Sequence, residues 1–127
     1  MPVIGYGTEE LPAFYTRHSG FKVDYRIDTP EELADAFRAK LDMGLQGGML
    51  VTNPIPEEYS MPADVINKAI DKAIDEANRL GIRGKETTPF LLAKVKDLTG
   101  GDSLASNIQL VLNNARLAAK TAAALTR

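Results

Sequence analysis

Two asparagines, Asn107 and Asn114, stand seven residues apart in a segment that is otherwise apolar. Seven residues is about two helical turns, so a helix sets both amides on one face. An amide on an apolar face must find a partner or cost about 1–3 kcal/mol. Asn107 has two readings, a ligand-binding amide or an amide that holds a neighbouring loop. Asn114 reads as structural. A third asparagine opens the run Asn53-Pro54-Ile55-Pro56-Glu57-Glu58, which follows an apolar stretch with strand character. In open α/β sheets ligands gather at the carboxyl ends of strands, and loops there carry binding groups. Asn53 is the candidate ligand-binding residue of that loop. Glu57 and Glu58 read as a solvated acidic pair on a rigid proline turn.

Other residue types with chemical potential are less well placed. His18, the only histidine, lies between Arg17 and Ser19 in a glycine-containing stretch with no acidic cluster of metal spacing around it, and reads as an exposed loop residue. Gly5-Tyr6-Gly7-Thr8 lacks the further glycines of a dinucleotide or phosphate loop, and reads as a tight strand exit. A Schiff-base lysine needs an apolar setting or a cationic neighbour to lower its pKa. Lys68, Lys72 and Lys120 fall on polar helix faces, Lys94 and Lys96 flank the apolar Val95, and Lys85 follows Arg83-Gly84 in a basic loop; none is a convincing nucleophile. No set of Asp, Glu or His at ligand spacing suggests a hard-cation site.

The elements that must position these residues follow from pattern. The 127 residues are 44% hydrophobic and 25% charged with a net charge of −2, the balance of a globular domain with one modest core. No block of Lys or Arg is present, so neither nucleic acid nor a membrane surface is an expected partner. Cysteine is absent, which excludes disulfide scaffolds, thiolate zinc sites and cysteine nucleophiles and fits a cytoplasmic protein. The first residues lack the pattern of a signal peptide, and no apolar run reaches bilayer length.

Residues 2–6 read as a buried strand, 23–28 as a half-exposed strand and 49–52 as a second buried strand that ends at Asn53-Pro54. Thr29-Pro30-Glu31-Glu32 is a capping box with proline at the first helical position, and the helix ends at Gly44. Pro62 opens a second helix with an i, i+4 apolar stripe from Val65 to Leu80, closed by Gly81. Thr88-Pro89 starts a third helix, closed by Gly100-Gly101. Asp102-Ser103 caps a fourth, whose expected inner face is Leu104, Asn107, Ile108, Val111, Asn114, Ala115, Ala118 and Ala122. The fold class expected is α/β: a partial mixed sheet with flanking helices and a helical C-terminal end. Two or three buried strands make a thin sheet, so it reads as an incomplete part of a larger α/β/α domain.

Several stretches, in order, carry a resemblance. They are Pro2-Val3-Ile4-Gly5-Tyr6-Gly7-Thr8, Pro12-Ala13-Phe14-Tyr15, Asn53-Pro54-Ile55-Pro56-Glu57-Glu58-Tyr59 and Gly81-Ile82-Arg83-Gly84-Lys85. Thr88-Pro89-Phe90-Leu91-Leu92, Leu98-Thr99-Gly100-Gly101 and Ser103-Leu104-Ala105-Ser106-Asn107 complete the set. Together they resemble the pseudouridine-5′-phosphate glycosidase family, also described as indigoidine synthase A-like, over essentially all of residues 1–127, as the C-terminal part of such a domain. The resemblance implies an enzyme that reversibly cleaves the C–C glycosidic bond of pseudouridine 5′-phosphate to uracil and ribose 5-phosphate. It implies a lysine Schiff base to the opened ribose, a carboxylate acid/base and a divalent metal, typically manganese. In the family these groups precede the segment matching Pro2 to Tyr6, so no catalytic or metal-ligating residue is assigned to this chain, and a chain inactive alone is expected. The stretch ending at Asn107 implies a residue that reaches the substrate pocket. The implied partners are the N-terminal half of the enzyme and further copies, as a trimer. The rival reading is a free-standing, non-catalytic binding or scaffold module derived from that family.

Overall fold

The computed structural model describes residues 1–126. Strand β1 (Val3–Tyr6) is the middle of a three-stranded sheet, flanked by β2 (Tyr25–Ile27) and β3 (Leu50–Thr52) in the order β2-β1-β3. Both pairings are parallel: Ile4 stands opposite Tyr25 on one side and Val51 on the other. The α/β class stands, but the mixed sheet expected from the pattern gives way to a parallel one. The only antiparallel pairing among the described residues is the isolated bridge Glu10–Lys22, inside the loop that joins β1 to β2. That loop is long enough to carry the chain back to the start of the sheet, and β2 reaches β3 through a helix. Parallel neighbours require such crossovers.

Helix α1 (Pro30–Asp42) forms where the capping box predicts: Thr29 Oγ1 accepts the Glu32 N–H at 3.2 Å, and Pro30 sits in the first turn. Helix α2 (Ala63–Leu80) ends on Gly81, whose φ of 72° only glycine adopts without strain. Helix α3 (Thr87–Leu98) follows, and α4 (Asp102–Leu125) closes the described chain. Asp102 lies inside α4; the N-cap of the helix is Gly101, and Thr99 Oγ1 accepts the Ser103 N–H of the first turn at 3.2 Å.

Two cores result. In the first, Ile4 of β1 is buried against Leu33 of α1 and Leu117 of α4, with Tyr6, Ile27, Met49 and Val51 packed around them. Helices α1 and α4 therefore lie on the sheet face that carries Ile4 and Tyr6. On the opposite face the loop after β1 comes so close that a Cβ on Gly5 would stand 2.2 Å from the Thr8 carbonyl oxygen. In the second core, Ile66, Ala69 and Ala73 of α2 meet Val95 of α3, Met61 and the loop residue Tyr15. Burying a side chain such as Ile66 or Val95 contributes about 1.5–3 kcal/mol.

Helix α4 corrects the expected inner face. Its buried residues are Ser103, Ser106, Leu117 and Ala124, while Leu104, Ile108, Val111 and Leu112 are exposed, Val111 at 59%. Asn107 is half-buried and Asn114 exposed. The inward face of α4 is bonded to the segment between β3 and α2 that it covers. Ser106 Oγ donates to the Tyr59 carbonyl at 2.8 Å, and Asn113 Nδ2 to the Pro54 carbonyl at 3.2 Å. Arg38 of α1 closes the far end of α4, its Nη2 donating to the Leu125 carbonyl at 2.9 Å.

Candidate functional site

Strands β1 and β3 are parallel neighbours, so their carboxyl ends, Tyr6 and Thr52, open on the same side. Beyond them the chain parts: β1 leads into the loop toward β2, and β3 leads away to the helices. The crevice between diverging loops is where open α/β sheets hold ligands. Here it is walled on the third side by the C-terminal half of α4.

The loop leaving β3 is held rigidly. Pro54 and Ile55 are buried, Asn113 holds the Pro54 carbonyl, and Arg17 Nη1 donates to the Ile55 carbonyl at 2.8 Å. Thr52 Oγ1 donates to the Ile4 carbonyl at 2.9 Å, tying β3 to β1. Arg17 is itself placed by its backbone N–H on Ser60 Oγ at 3.3 Å, and the next turn by Met61 N–H on the Tyr15 carbonyl at 2.9 Å.

The resulting cavity has a volume of about 300 Å³. Arg17, Arg116 and Lys120 line it together with Tyr6, Asn53 and Asn113. No aspartate or glutamate lines it. Asn53 also borders an apolar cleft of about 470 Å³ between β3, α1 and α4, which it shares with Asn114, Leu33, Phe37 and Val51.

Asn107 lies elsewhere. It lines a separate cavity of about 310 Å³ between α3 and α4, beside Tyr15, Leu92, Lys96 and Ser103. Burial pushes the Tyr15 phenol above its ordinary value of 10.0. The two asparagines singled out as binding residues, Asn53 and Asn107, are thus not brought into one cavity within this chain. The asparagine with a structural bond is Asn113, which the sequence reading passed over. Its signal was present: Ser106, Asn113 and Leu117 recur at helical spacing, and they define the buried face.

The remaining sequence candidates fall as follows. Gly7 has a φ of 66°, and its N–H is spent on the Ile27 carbonyl at 2.7 Å, so the turn after β1 is a strand exit. His18 is exposed, with Nδ1 2.9 Å from Glu10 Oε2. That bond, with the N–H groups of Gly20 and Ser19, holds the Glu10 carboxyl down at about 2. Lys94 Nζ pairs with Glu76 Oε2 at 2.6 Å across α2 and α3, so its amine is engaged in an ion pair between the two helices. Glu57 and Glu58 are exposed on a short 3-10 turn. Among the described residues no three His, Asp or Glu side chains come together in a set able to hold a metal ion, so the manganese implied by the resemblance has no fitting ligand set in this part of the fold. No helix among the described residues is long and apolar enough to cross a membrane.

The fold is an α/β domain with a crevice at the carboxyl edge of its parallel sheet, and comparison with known proteins names its family. The family model for indigoidine synthase A like protein matches residues 1–124, and the chain belongs to that family. It is 65% identical over 127 residues to the pseudouridine-5′-phosphate glycosidase of Clostridium botulinum, covering 100% of this chain and 41% of that protein. It is 57% identical over 122 residues to the corresponding enzyme of Escherichia coli K12, covering 96% of this chain and 39% of that protein. The chain therefore spans about two fifths of the length of the curated relatives it matches. Among solved structures, an indigoidine synthase A-like protein from Thermotoga maritima superposes with a TM-score of 0.86 at 38% identity, over 100% of this chain and 41% of that one. A prealnumycin C-glycosynthase, solved in complex with ribulose 5-phosphate, superposes with a TM-score of 0.84 at 31% identity, over 98% of this chain and 41% of that one.

Proposed function

We propose that this chain acts as the C-terminal portion of a pseudouridine-5′-phosphate glycosidase, working with the N-terminal portion of such an enzyme and inactive without it. The observation that carries this reading is the match to glycosidases along the whole of the chain but over only 41% of the relative's length. In this reading the whole enzyme, a cytoplasmic trimer, cleaves pseudouridine 5′-phosphate to uracil and ribose 5-phosphate. Its N-terminal portion supplies the Schiff-base lysine, the acid/base carboxylate and the ligands for manganese, which supplies Lewis-acid and orienting chemistry when bound. The present chain supplies the parallel strands and a helical wall, with Asn53 and Asn107 reaching the substrate from separate cavities.

Two features of the chain support the division of labour. Leu104, Ile108, Val111 and Leu112 form an exposed apolar stripe along α4, and exposed stripes of this kind mark surfaces that another element covers. Both outer strands, β2 and β3, have one side without a strand partner among the described residues, and open edges invite pairing. A sugar phosphate bound to a relative of the same fold also suits a phosphorylated substrate.

The test is uracil release from pseudouridine 5′-phosphate with manganese present. Three samples are compared: this chain, an N-terminal portion taken from a close relative, and the two together. Activity only in the mixture is the expected result. Turnover by this chain alone overturns the division of labour, and a well-folded mixture without turnover overturns the assignment.

A further inference from the structure

We propose that the cavity between α3 and α4 binds an ordered water on the Ser103 hydroxyl, and that this water fixes the side-chain amide of Asn107, which makes Ser103 a positioning residue. That Asn107 meets a substrate rests on the functional reading above; the water site itself does not.

Ser103 is 1% exposed, and among the described residues its Oγ is the buried side-chain atom without a hydrogen-bond partner. A buried hydroxyl in that state is costly, and buried polar groups in proteins pair with protein or with ordered water. A serine in a helix commonly turns its hydroxyl to the carbonyl four residues back. For Ser103 that residue is Thr99, which lies in the turn before α4. Thr99 Oγ1 donates to the Val95 carbonyl at 2.8 Å and accepts the Ser103 N–H at 3.2 Å. The turn thus engages the Ser103 backbone and leaves its hydroxyl over. Ser106, three residues on, differs: its Oγ reaches the Tyr59 carbonyl at 2.8 Å.

Ser103 lines the cavity of about 310 Å³ together with Tyr15, Lys96 and Asn107. That volume is ample for a water, whose share of the liquid is about 30 Å³. Asn107 follows Ser103 by four residues, so both stand on one face of α4. Side chains on a helix lean toward its N-terminus, which brings the Asn107 amide toward Ser103. Tyr15 is 6% exposed and is held edge-on against Phe14, with ring centroids 4.8 Å apart. Burial keeps the proton on its phenol, so it too can donate. Lys96 is exposed, and bulk water serves its ammonium group. Tyr15, Ser103 and Asn107 supply the three polar partners that a buried water typically takes. The consequence is orientation. An amide free to turn offers a ligand either its oxygen or its NH2 group. An amide bridged at one end offers only the other.

The test starts with the 127-residue chain as it is. Water–protein NOE measurements on the wild type should show a long-lived water in contact with the Ser103 amide and the Asn107 side-chain NH2 group. Ser103→Ala should abolish that contact, lower the denaturation midpoint and move the Asn107 side-chain signals, while those of Asn113 and Asn114 stay in place. A hydroxyl with no partner predicts the opposite sign, because removing an unpaired buried polar group leaves stability unchanged or higher. Ser103→Cys, which keeps the shape but donates weakly, should fall between the two. If Ser103→Ala does not fold, the wild-type water contact and the cysteine variant decide. In an enzyme completed by the N-terminal portion, Ser103→Ala should lower kcat/KM about tenfold, as for loss of one hydrogen bond. Combined with Asn107→Ala it should cost no more than Asn107→Ala alone, since a residue acting through another is not additive with it. Absence of the water contact in the wild type overturns the proposal. So does an alanine variant at least as stable as the wild type, or one whose Asn107 signals do not move. Additive losses in the double variant overturn the positioning role. A completed wild-type enzyme without turnover, with the water contact and the Asn107 shifts intact, counts against the functional reading and leaves the water site standing.

Discussion

The Asn113 side-chain amide donates to the Pro54 carbonyl at 3.2 Å, joining the middle of α4 to the loop that leaves β3. Pro54 is buried, so few other donors can reach that oxygen. Asn113→Ala leaves a buried carbonyl unsatisfied and should cost about 1–3 kcal/mol, read as a lower denaturation midpoint at unchanged slope. Asn114→Ala, one residue on but exposed, should leave the midpoint where it is. Equal effects at the two positions would show that the bond does not hold the loop.

Gly5 offers a second test of the sheet's neighbourhood. A methyl group there meets the Thr8 carbonyl at 2.2 Å and Val23 Cγ2 at 3.0 Å. The first obstacle is backbone, so it cannot swing aside as a flexible side chain would. Gly5→Ala should destabilise the chain by about 1–3 kcal/mol through overpacking. Gly7→Ala meets no atom within 4 Å, but φ is 66° there, and the cost should be the smaller one of a strained backbone. Thermal unfolding of both variants orders the two effects.

Glu10 ties the loop between β1 and β2. The His18 ring, then the backbone N–H groups of Gly20 and Ser19, favour its ionised form and lower its pKa from 4.5 to about 2. The folded value is depressed, so the unfolded chain takes up the proton first. The stabilisation is complete above about 4.5 and is lost as pH falls from there toward about 2. NMR titration of the Glu10 carboxyl should give a midpoint near the lower value. Glu10→Gln should flatten the acid limb of loop stability and shift the amides of Ser19 and Gly20. A midpoint near 4.5 would mean the three bonds do not persist in solution.

Substitution of Asn107 and of Asn114 is a test that separates binding from packing. Asn107 is half-buried in the cavity between α3 and α4, whereas Asn114 is exposed at the edge of the apolar cleft. In an enzyme completed by the N-terminal portion, Asn107→Ala should impair turnover of pseudouridine 5′-phosphate more than Asn114→Ala, after correction for stability. A variant of Asn107 with a lower melting temperature and intact turnover would mark it as structural.

Local signals were written plainly in the chain. Thr29, Pro30 and Glu32 set the start of α1 because a side-chain acceptor and a proline ring act over one helical turn. Gly81 set the end of α2 because its positive φ is a property of one residue. The apolar stripe of α2 was half legible: Ile66, Ala69, Ala73 and Ala77 are buried, while Val65, Ile74 and Leu80 are exposed. The candidate loop after β3 was also visible, since a strand that runs into Asn53-Pro54 must end there.

The face of α4 and the site were not written in this way. Periodicity shows which side of a helix disfavours water, but the hydrophobic effect has no direction and does not say which neighbour covers that side. In α4 the stripe of Leu104, Ile108, Val111 and Leu112 is exposed and the side of Ser103, Ser106, Leu117 and Ala124 is buried, with Ser106 and Asn113 each bonded to a carbonyl far away in sequence, at Tyr59 and Pro54. The cationic cavity is of the same kind. Arg17 comes from the loop after β1, and Arg116 and Lys120 from α4, about a hundred residues further along. Spacing along the chain carries no record of that meeting. It exists only once β1 and β3 pair in parallel and α4 packs across their ends, so the sequence determined the elements and the tertiary structure decided which of their side chains face one another.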